Sequence, residues 1–365
     1  MLTIAENHSR NVLIVGGGGF IGSNLAAHLL AATDARITLF DDLSRPGAEE
    51  NIAWLRTQGG SARLRFIRGD VRHSARVMEA CRPVDEIYLC ATRCAGTTAS
   101  DLRADFAVTV SGTINALEAA RRSGRRPIVL LASTSKVYGK LNGIPVKRNG
   151  FRFQAVDPGF RGISEQTQLN LSSPFIAAKE AAERHVLDYA REFDLPAVVF
   201  RLGTIAGPRQ FPATAGSWVA RLVDAALSGG SVTVHGEGLQ VRDVLHIADL
   251  VDAIAAARAY IEVTAGKIYN IAGGVSRSIS VQEMLRLVER TCHSTAQVHH
   301  VARGSEDKLL DISDASAFSA LTGWIPRRTL EQTVRDVAAA WHATHRSQRM
   351  QPPTPANQGS LREAA

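Results

Sequence analysis

The sequence predicts an α/β protein: a doubly wound parallel sheet over residues 1–205 carrying a smaller mixed α/β lobe over 206–345. Three observations predict it. Apolar runs alternate with helical periodicities through the first half, the pattern of a parallel sheet with crossover helices. Asn11–Leu30, NVLIVGGGGFIGSNLAAHLL, reads as a buried strand, a glycine turn and a helix. Beyond about residue 205 the elements become shorter and mixed, as in a lobe built onto a sheet, with some segments returning to the sheet.

Val12–Val15 is the apolar run of a strand buried on both faces. Gly16, Gly19 and Gly22 follow with the spacing G-x-x-G-x-x-G. Gly16 permits the sharp turn, Gly19 lets a pyrophosphate approach the backbone, and Gly22 lets the helix press on the strand. The free N–H groups of the helix start attract phosphate. Arg36–Phe40 reads as the next strand, and Asp41 ends it 19 residues after Gly22, near the interval of a ribose-binding carboxylate. Together these make a dinucleotide site. The carboxylate favours NAD, because it repels a 2′-phosphate; Arg45 is the group that would accept one. Phe20, Ile21 and Ser44 belong to the same shell, and Asp70-Val71, after a strand at Arg63–Ile67, suits an adenine edge.

Further along come a helix near Glu49–Arg56, a strand at Glu86–Cys90 and a long helix over Leu102–Arg122 stopped by Gly124. Pro127–Ala132 is another buried strand, Phe175–Phe193 a long helix and Ala197–Arg201 a strand. In the lobe we expect helices near Trp218–Leu227, from Ile247 and from Val281, with strands at Val232–Val234 and Lys267–Ile271. Residues 346–365, rich in Pro, Gln, Ser and Ala, read as a disordered tail.

Composition narrows the partners. The 365 residues are 45% hydrophobic and 21% charged, ordinary for a globular domain. The amino terminus is polar and no run approaches a membrane span, so neither a secretory signal nor a membrane partner is expected. Four cysteines are too few for a disulfide framework, which fits a reduced cytoplasm. None sits in a metal spacing, and His299-His300 reads as plain strand. The net charge of +7 comes without an aromatic platform or recognition motif for nucleic acid, and suits an anionic small substrate.

The motifs GGGGFIGSN, FDDLSRPGAEENIAWLR, STSKVYG (Ser133–Gly139), RGISE (Arg161–Glu165), AGPRQF (Ala206–Phe211) and QVRDVLHIADL (Gln240–Leu250) resemble the extended short-chain dehydrogenase/reductase family. Within it they are most similar to the CDP-tyvelose (CDP-paratose) 2-epimerase subgroup. The likeness runs from about Asn11 to Ala343. It implies tightly held NAD, a nucleotide-sugar substrate under the second lobe, and a homodimer through helices 102–122 and 175–193. It implies transient oxidation of a sugar carbinol, in which a base takes the hydroxyl proton. The family uses a Tyr four residues before a Lys, which share one helix face; the lysine's charge lowers the phenol's pKa. A Ser or Thr completes the set.

Here Thr134 and Lys179 match that set, but Phe175 stands at the tyrosine position. A phenyl ring transfers no proton. Thr109 stands in place of a common Asn, Ala206 in place of a Tyr, and Tyr88–Arg93, which includes Ala91 of the cofactor shell, in place of His-Leu-Ala-Ala and a polar residue. Cys90, Cys94, Lys136, Tyr138 and Thr134 are the candidates for a relocated proton donor. Ser135-Lys136 occupies the Asp-Glu positions of the family's 4,6-dehydratases, which argues against water elimination by that route. Arg242, Arg209 and Arg303 are carried over as ligands of the substrate diphosphate, for which guanidinium forks are suited. Three readings stay open: a nucleotide-sugar epimerase with an altered acid–base group, a catalytically reduced NAD- and nucleotide-sugar-binding protein or partner subunit, and another redox reaction on a nucleotide-linked substrate.

Overall fold

The computed structural model describes residues 9–93, 102–139, 144–212, 217–304 and 307–350. Strand β1 (Asn11–Val15) leads through α1 (Phe20–Ala32) to β2 (Arg36–Asp41), then through α2 (Ala48–Arg56) to β3 (Leu64–Arg68). α3 (Ser74–Ala80) and β4 (Glu86–Leu89) follow. The long helix expected at 102–122 is α4 (Leu102–Phe106), a π-helical stretch Ala107–Ser111 and α5 (Gly112–Arg122). β5 (Ile128–Thr134) runs two residues past its expected end and so includes Ser133 and Thr134. After the hairpin β6 (Val146–Asn149) and β7 (Arg152–Ala155) come α6 (Pro174–Phe193), β8 (Ala197–Leu202) and β9 (Thr204–Ala206).

The rest of the chain is α7 (Trp218–Ser228), β10 (Ser231–His235), β11 (Val241–His246), α8 (Ile247–Ala259), α9 (Ile261–Thr264), β12 (Lys267–Ile271) and β13 (Ser278–Ser280). It continues through α10 (Val281–Cys292), β14 (Gln297–Val301), β15 (Leu310–Asp311), α11 (Ser316–Thr322) and α12 (Leu330–Met350). Among the described residues no helix is long and apolar enough to cross a membrane.

The main sheet is parallel, in the order β12-β8-β5-β4-β1-β2-β3. Successive side chains of a strand point to opposite faces. Val12 and Ile14 therefore pack with Leu25, Ile52 and Ile254 on one side, while Leu13 and Val15 pack with Val77, Leu117 and Val186 on the other. Both faces are covered, which is why the strands read as unbroken apolar runs. Strand order reverses between β1 and β4, the place where a crevice opens beyond the carboxyl ends of the strands.

Two segments cross the expected boundary at 205/206. α8 and β12 return to the sheet, where Ile254 and Ile271 join its core. The β6–β7 hairpin goes the other way: Phe153 N–H donates to Leu239 O (2.9 Å), and Ala155 packs with Val241, Leu310 and Ile312. The lobe's own core lies between α7, α10 and α12, around Val219, Val223, Met284, Leu287 and Val334. α12 continues to Met350, beyond the start of the expected tail at 346, and Trp341 Nε1 anchors it to Asp224 (2.8 Å). Residues 351–365 lie outside the described part.

A buried carboxylate holds two segments of the lobe together. Asp243 on β11 accepts the Ser313 N–H (2.8 Å), and burial pushes its carboxyl up to about 7. His246 caps α8 through Nδ1, which accepts from Ala248 N–H (3.0 Å).

Candidate active site

A cavity of about 560 Å³ opens at the reversal of strand order. Gly16, Gly19, Phe20, Ile21 and Gly22 form one wall. The three glycines differ in what surrounds them. Gly16 has φ +84°, and a Cβ there would stand 2.5 Å from Ala91 N. At Gly22 a Cβ would stand 2.4 Å from Gly16 O, so only hydrogen fits where α1 crosses the turn. At Gly19 the nearest atom is Gly16 O at 3.3 Å, and the residue faces the cavity. Two glycines thus shape the turn and the third leaves room for a ligand. That arrangement, at the N-terminus of a 13-residue helix with no side-chain cap, fits the diphosphate of a dinucleotide.

Asp41 lies at the end of β2 on the same cavity. Its carboxylate accepts Gly18 N–H (2.9 Å) and Leu43 N–H (2.8 Å). Burial raises its pKa, while those two N–H groups and Arg45 pull the other way. Ser44, Arg45, Asp70, Val71 and Ala91 line the cavity too, so the expected cofactor shell comes together in one place. Asp70 is held by Arg72 (Nε to Oδ1 2.9 Å, to Oδ2 2.8 Å), which lowers its pKa. Asp41→Ala is expected to weaken NAD binding by about tenfold or more, the scale of one lost hydrogen bond to a charged group. Titration calorimetry should also show the preference for NAD over NADP shrinking.

Thr134 also lines the cavity, and its Oγ1 accepts Lys136 N–H (3.2 Å). Lys179 is buried, with Nζ donating to Ala132 O (3.0 Å), and its charge acts on the neighbouring Cys90 thiol. Phe175 is half-buried against Val137, Tyr138, Ile163 and Ile176, one helical turn from Lys179.

The candidates for a relocated proton donor separate here. Tyr138 is fully buried, its hydroxyl held by Asn270 Oδ1 (2.7 Å) and Arg201 Nη1 (3.2 Å), and burial raises its pKa. Cys90 lines the cavity, but burial pushes its thiol up to about 12. Lys136 is exposed, and Cys94 lies outside the described residues. Thr109 is buried, with no hydrogen bond to its Oγ1, beside Val108 on the cavity wall.

A second cleft, of about 910 Å³, lies in the lobe between α7, β10 and β11. Arg242 lines it, with Nη2 on Asp307 Oδ1 (2.8 Å) and Nη1 on Lys308 O (2.9 Å). Arg303 is exposed, next to Gly304, which lines the same cleft.

Arg209, carried over as a diphosphate ligand, packs against α2. It lines neither cavity; its guanidinium donates to Asn51 Oδ1 (2.8 Å) and Glu50 O (3.0 Å) and lies over the Trp54 and Phe211 rings. Gln210 was not foreseen. It lines the cofactor cavity, and its Oε1 is buried without a partner. Its position beside Arg209 in the AGPRQF motif was the only signal for it. Among the described residues no group of three His, Cys, Asp or Glu forms a metal site.

Comparison with known proteins bears on this geometry. Residues 12–272 match the NAD dependent epimerase/dehydratase family. CDP-paratose 2-epimerase from Salmonella typhi is 33% identical over 333 residues, covering 89% of this chain and 97% of that protein. dTDP-glucose 4,6-dehydratase from Streptomyces griseus is 30% identical over 344 residues, covering 92% and 95%. Thermus thermophilus UDP-glucose 4-epimerase, solved with NAD, superposes with a TM-score of 0.75 at 26% identity over 91% of this chain and 99% of its own. UDP-glucuronic acid 4-epimerase from Bacillus cereus shares the fold at a TM-score of 0.78 and 24% identity, over 92% and 99%. With the glycine turn and Asp41 on one cavity, and relatives matched along nearly their whole length, the chain belongs to the NAD dependent epimerase/dehydratase family.

Proposed function

We propose that this chain is an NAD-dependent epimerase of a nucleotide-linked sugar whose acid–base group differs from the family's tyrosine. The observation that carries this reading is the cofactor cavity itself. It reaches from the glycine turn past Thr134 to Leu202, Gly203, Ile205 and Gln210, where the second lobe begins. The similarity to CDP-paratose 2-epimerase supports a nucleotide sugar as substrate.

NAD, when bound, supplies reversible two-electron oxidation of a sugar carbinol. Gly16, Gly19 and Gly22 seat its diphosphate and Asp41 its ribose hydroxyls. Lys179, fixed by Ala132 O, supplies positive charge and a donor at the nicotinamide end. Thr134 offers a hydroxyl to the sugar, Arg242 a guanidinium to its diphosphate, and Arg303 is the further arginine on the rim. Phe175 fills the phenol's place with apolar surface, so the carbinol proton leaves by another group or by water.

A catalytically reduced binding protein is the second reading. It is favoured by the state of the alternative donors: Tyr138 is locked beneath the site and the Cys90 thiol is pushed up to about 12. We also read the chain as a cytoplasmic homodimer. Free Cys81, Cys90 and Cys292 support a reducing compartment. Leu102, Phe106 and Phe193, exposed on α4 and α6, support pairing through those helices.

One experiment separates the readings. Purified protein is denatured and its released nucleotide identified; native protein is then incubated with CDP-, UDP-, dTDP- and GDP-sugars in deuterium oxide. New epimers or exchanged positions are expected with at least one sugar. Bound NAD with no change in any sugar overturns the epimerase and leaves the binding protein.

A further inference from the structure

The segment Gly207–Phe211 follows β9, which pairs with β11 in the smaller sheet, yet its side chains reach back to the cofactor end of the molecule. Arg209 has φ +67°, a left-handed conformation that a non-glycine residue adopts at a cost and keeps only where its surroundings fix it. They do fix it. Its guanidinium centre lies 4.9 Å from the Trp54 ring centroid and 5.7 Å from that of Phe211. The Phe211 ring in turn rests on the backbone of Gly47, where a Cβ would fall 2.1 Å from the ring.

A line of hydrogen bonds runs from that stack to the ribose carboxylate. Arg209 Nε donates to Asn51 Oδ1 (2.8 Å), Asn51 Nδ2 donates to Gly18 O (3.0 Å), and Gly18 N–H donates to Asp41 Oδ2 (2.9 Å). Asn51 is 1% exposed, so water does not compete for its amide. The segment is also tied to α1, where Asn24 Nδ2 donates to Pro208 O (3.0 Å). Next to Arg209, Gln210 reaches the cavity. Its Nε2 donates to Ile205 O (3.1 Å), and its Oε1 is buried without a partner. A buried acceptor without a donor costs free energy that a ligand N–H or O–H recovers.

We propose that Arg209 and Gln210 form a latch on NAD: Arg209 is a positioning residue that pins the segment to α2, and Gln210 accepts a hydrogen bond from the seated dinucleotide. The latch makes cofactor release depend on the second lobe's first loop, and slow release suits a reaction in which NAD is regenerated within each cycle. The proposal rests on NAD binding and not on which sugar is transformed. A chain that turns over no sugar but exchanges NAD slowly still satisfies it.

The test measures exchange of bound NAD for carbon-13-labelled NAD by mass spectrometry, in protein loaded with NAD. Arg209→Met keeps apolar volume between Trp54 and Phe211 but removes the donors, and exchange should quicken by about tenfold or more. Arg209→Lys should recover only part of this, since an ammonium lacks the fork and the stacking plane. Gln210→Ala should quicken exchange several-fold, and the double variant should not exceed the sum of the single effects on a logarithmic scale but fall short of it, because the two act as one unit. Melting of NAD-free protein should change less than the rise in melting temperature that NAD produces. Exchange within about twofold of wild type in both single variants, additive effects, or equal destabilisation with and without NAD each overturns the latch. If Arg209→Met does not fold, Gln210→Ala carries the test alone.

Discussion

Phe175→Tyr is expected to raise epimerase turnover by roughly 10²–10⁴-fold, the usual contribution of a positioned general acid–base group. Phe175 already packs against Val137, Tyr138, Ile163 and Ile176, and the substitution adds one hydroxyl without removing those contacts. Lys179 lies four residues later on α6, so the two side chains share a helix face. Its buried ammonium favours the ionised form of a phenol placed there. The gain should appear in kcat, with KM little changed, because the added hydroxyl acts on the proton transfer and not on ground-state binding. Its pH profile should acquire a limb that wild type lacks. NMR of the product sugar measures the rate, and the NAD content of both proteins serves as the control. An unchanged rate with intact NAD content would mean that the site has been rebuilt around another proton carrier.

The cofactor cradle was legible because its physics is local. Gly16, Gly19, Gly22 and Asp41 belong to one strand–turn–helix–strand unit, and their meeting on one cavity follows from spacing along the chain. Arg209 was not legible for the opposite reason. In sequence it is an arginine in a motif that suggests phosphate binding, while its partners Glu50, Asn51 and Trp54 lie on α2, far away along the chain. Residues 146–155 fell inside the unit expected over 1–205, since a short polar hairpin carries no periodicity that tells which core it joins. The Phe153 N–H bond to Leu239 O and the packing of Ala155 with Val241 and Leu310 decide it. Tyr138 looked reactive because it follows the strand that carries Thr134. The short helical turn Ser135–Tyr138 instead carries its ring down to Arg201, 5.0 Å from centroid to guanidinium.

That buried arginine is the second place where a large effect is expected. Arg201→Met should cost about 3–5 kcal/mol of stability in urea unfolding, the scale for a buried ion pair that loses one partner. The side chains of Arg201 and Glu183 are 4% and 0% exposed. Arg201 Nη2 and Nε donate to Glu183 Oε2 at 2.7 and 3.0 Å, and Nη1 donates to the Tyr138 hydroxyl. Ser133 also donates to Glu183. With the guanidinium gone, the carboxylate keeps only that hydroxyl among the described residues, and the desolvation it suffered on folding is no longer offset.

The loss should extend beyond stability. Ser133 and Thr134 are consecutive on β5, and Glu183 stands one helical turn after Lys179 on α6, so the pair fixes the strand end and the helix that carry Thr134 and Lys179. NAD content and kcat should therefore fall together. The double variant Arg201→Met with Glu183→Leu discriminates between a lost charge partner and lost packing. Replacing both ions with apolar side chains should restore most of the stability, since no uncompensated charge is left in the core. If the double variant is as unstable as Arg201→Met alone, the pair acts through shape and not through charge, and the electrostatic account of this core is wrong.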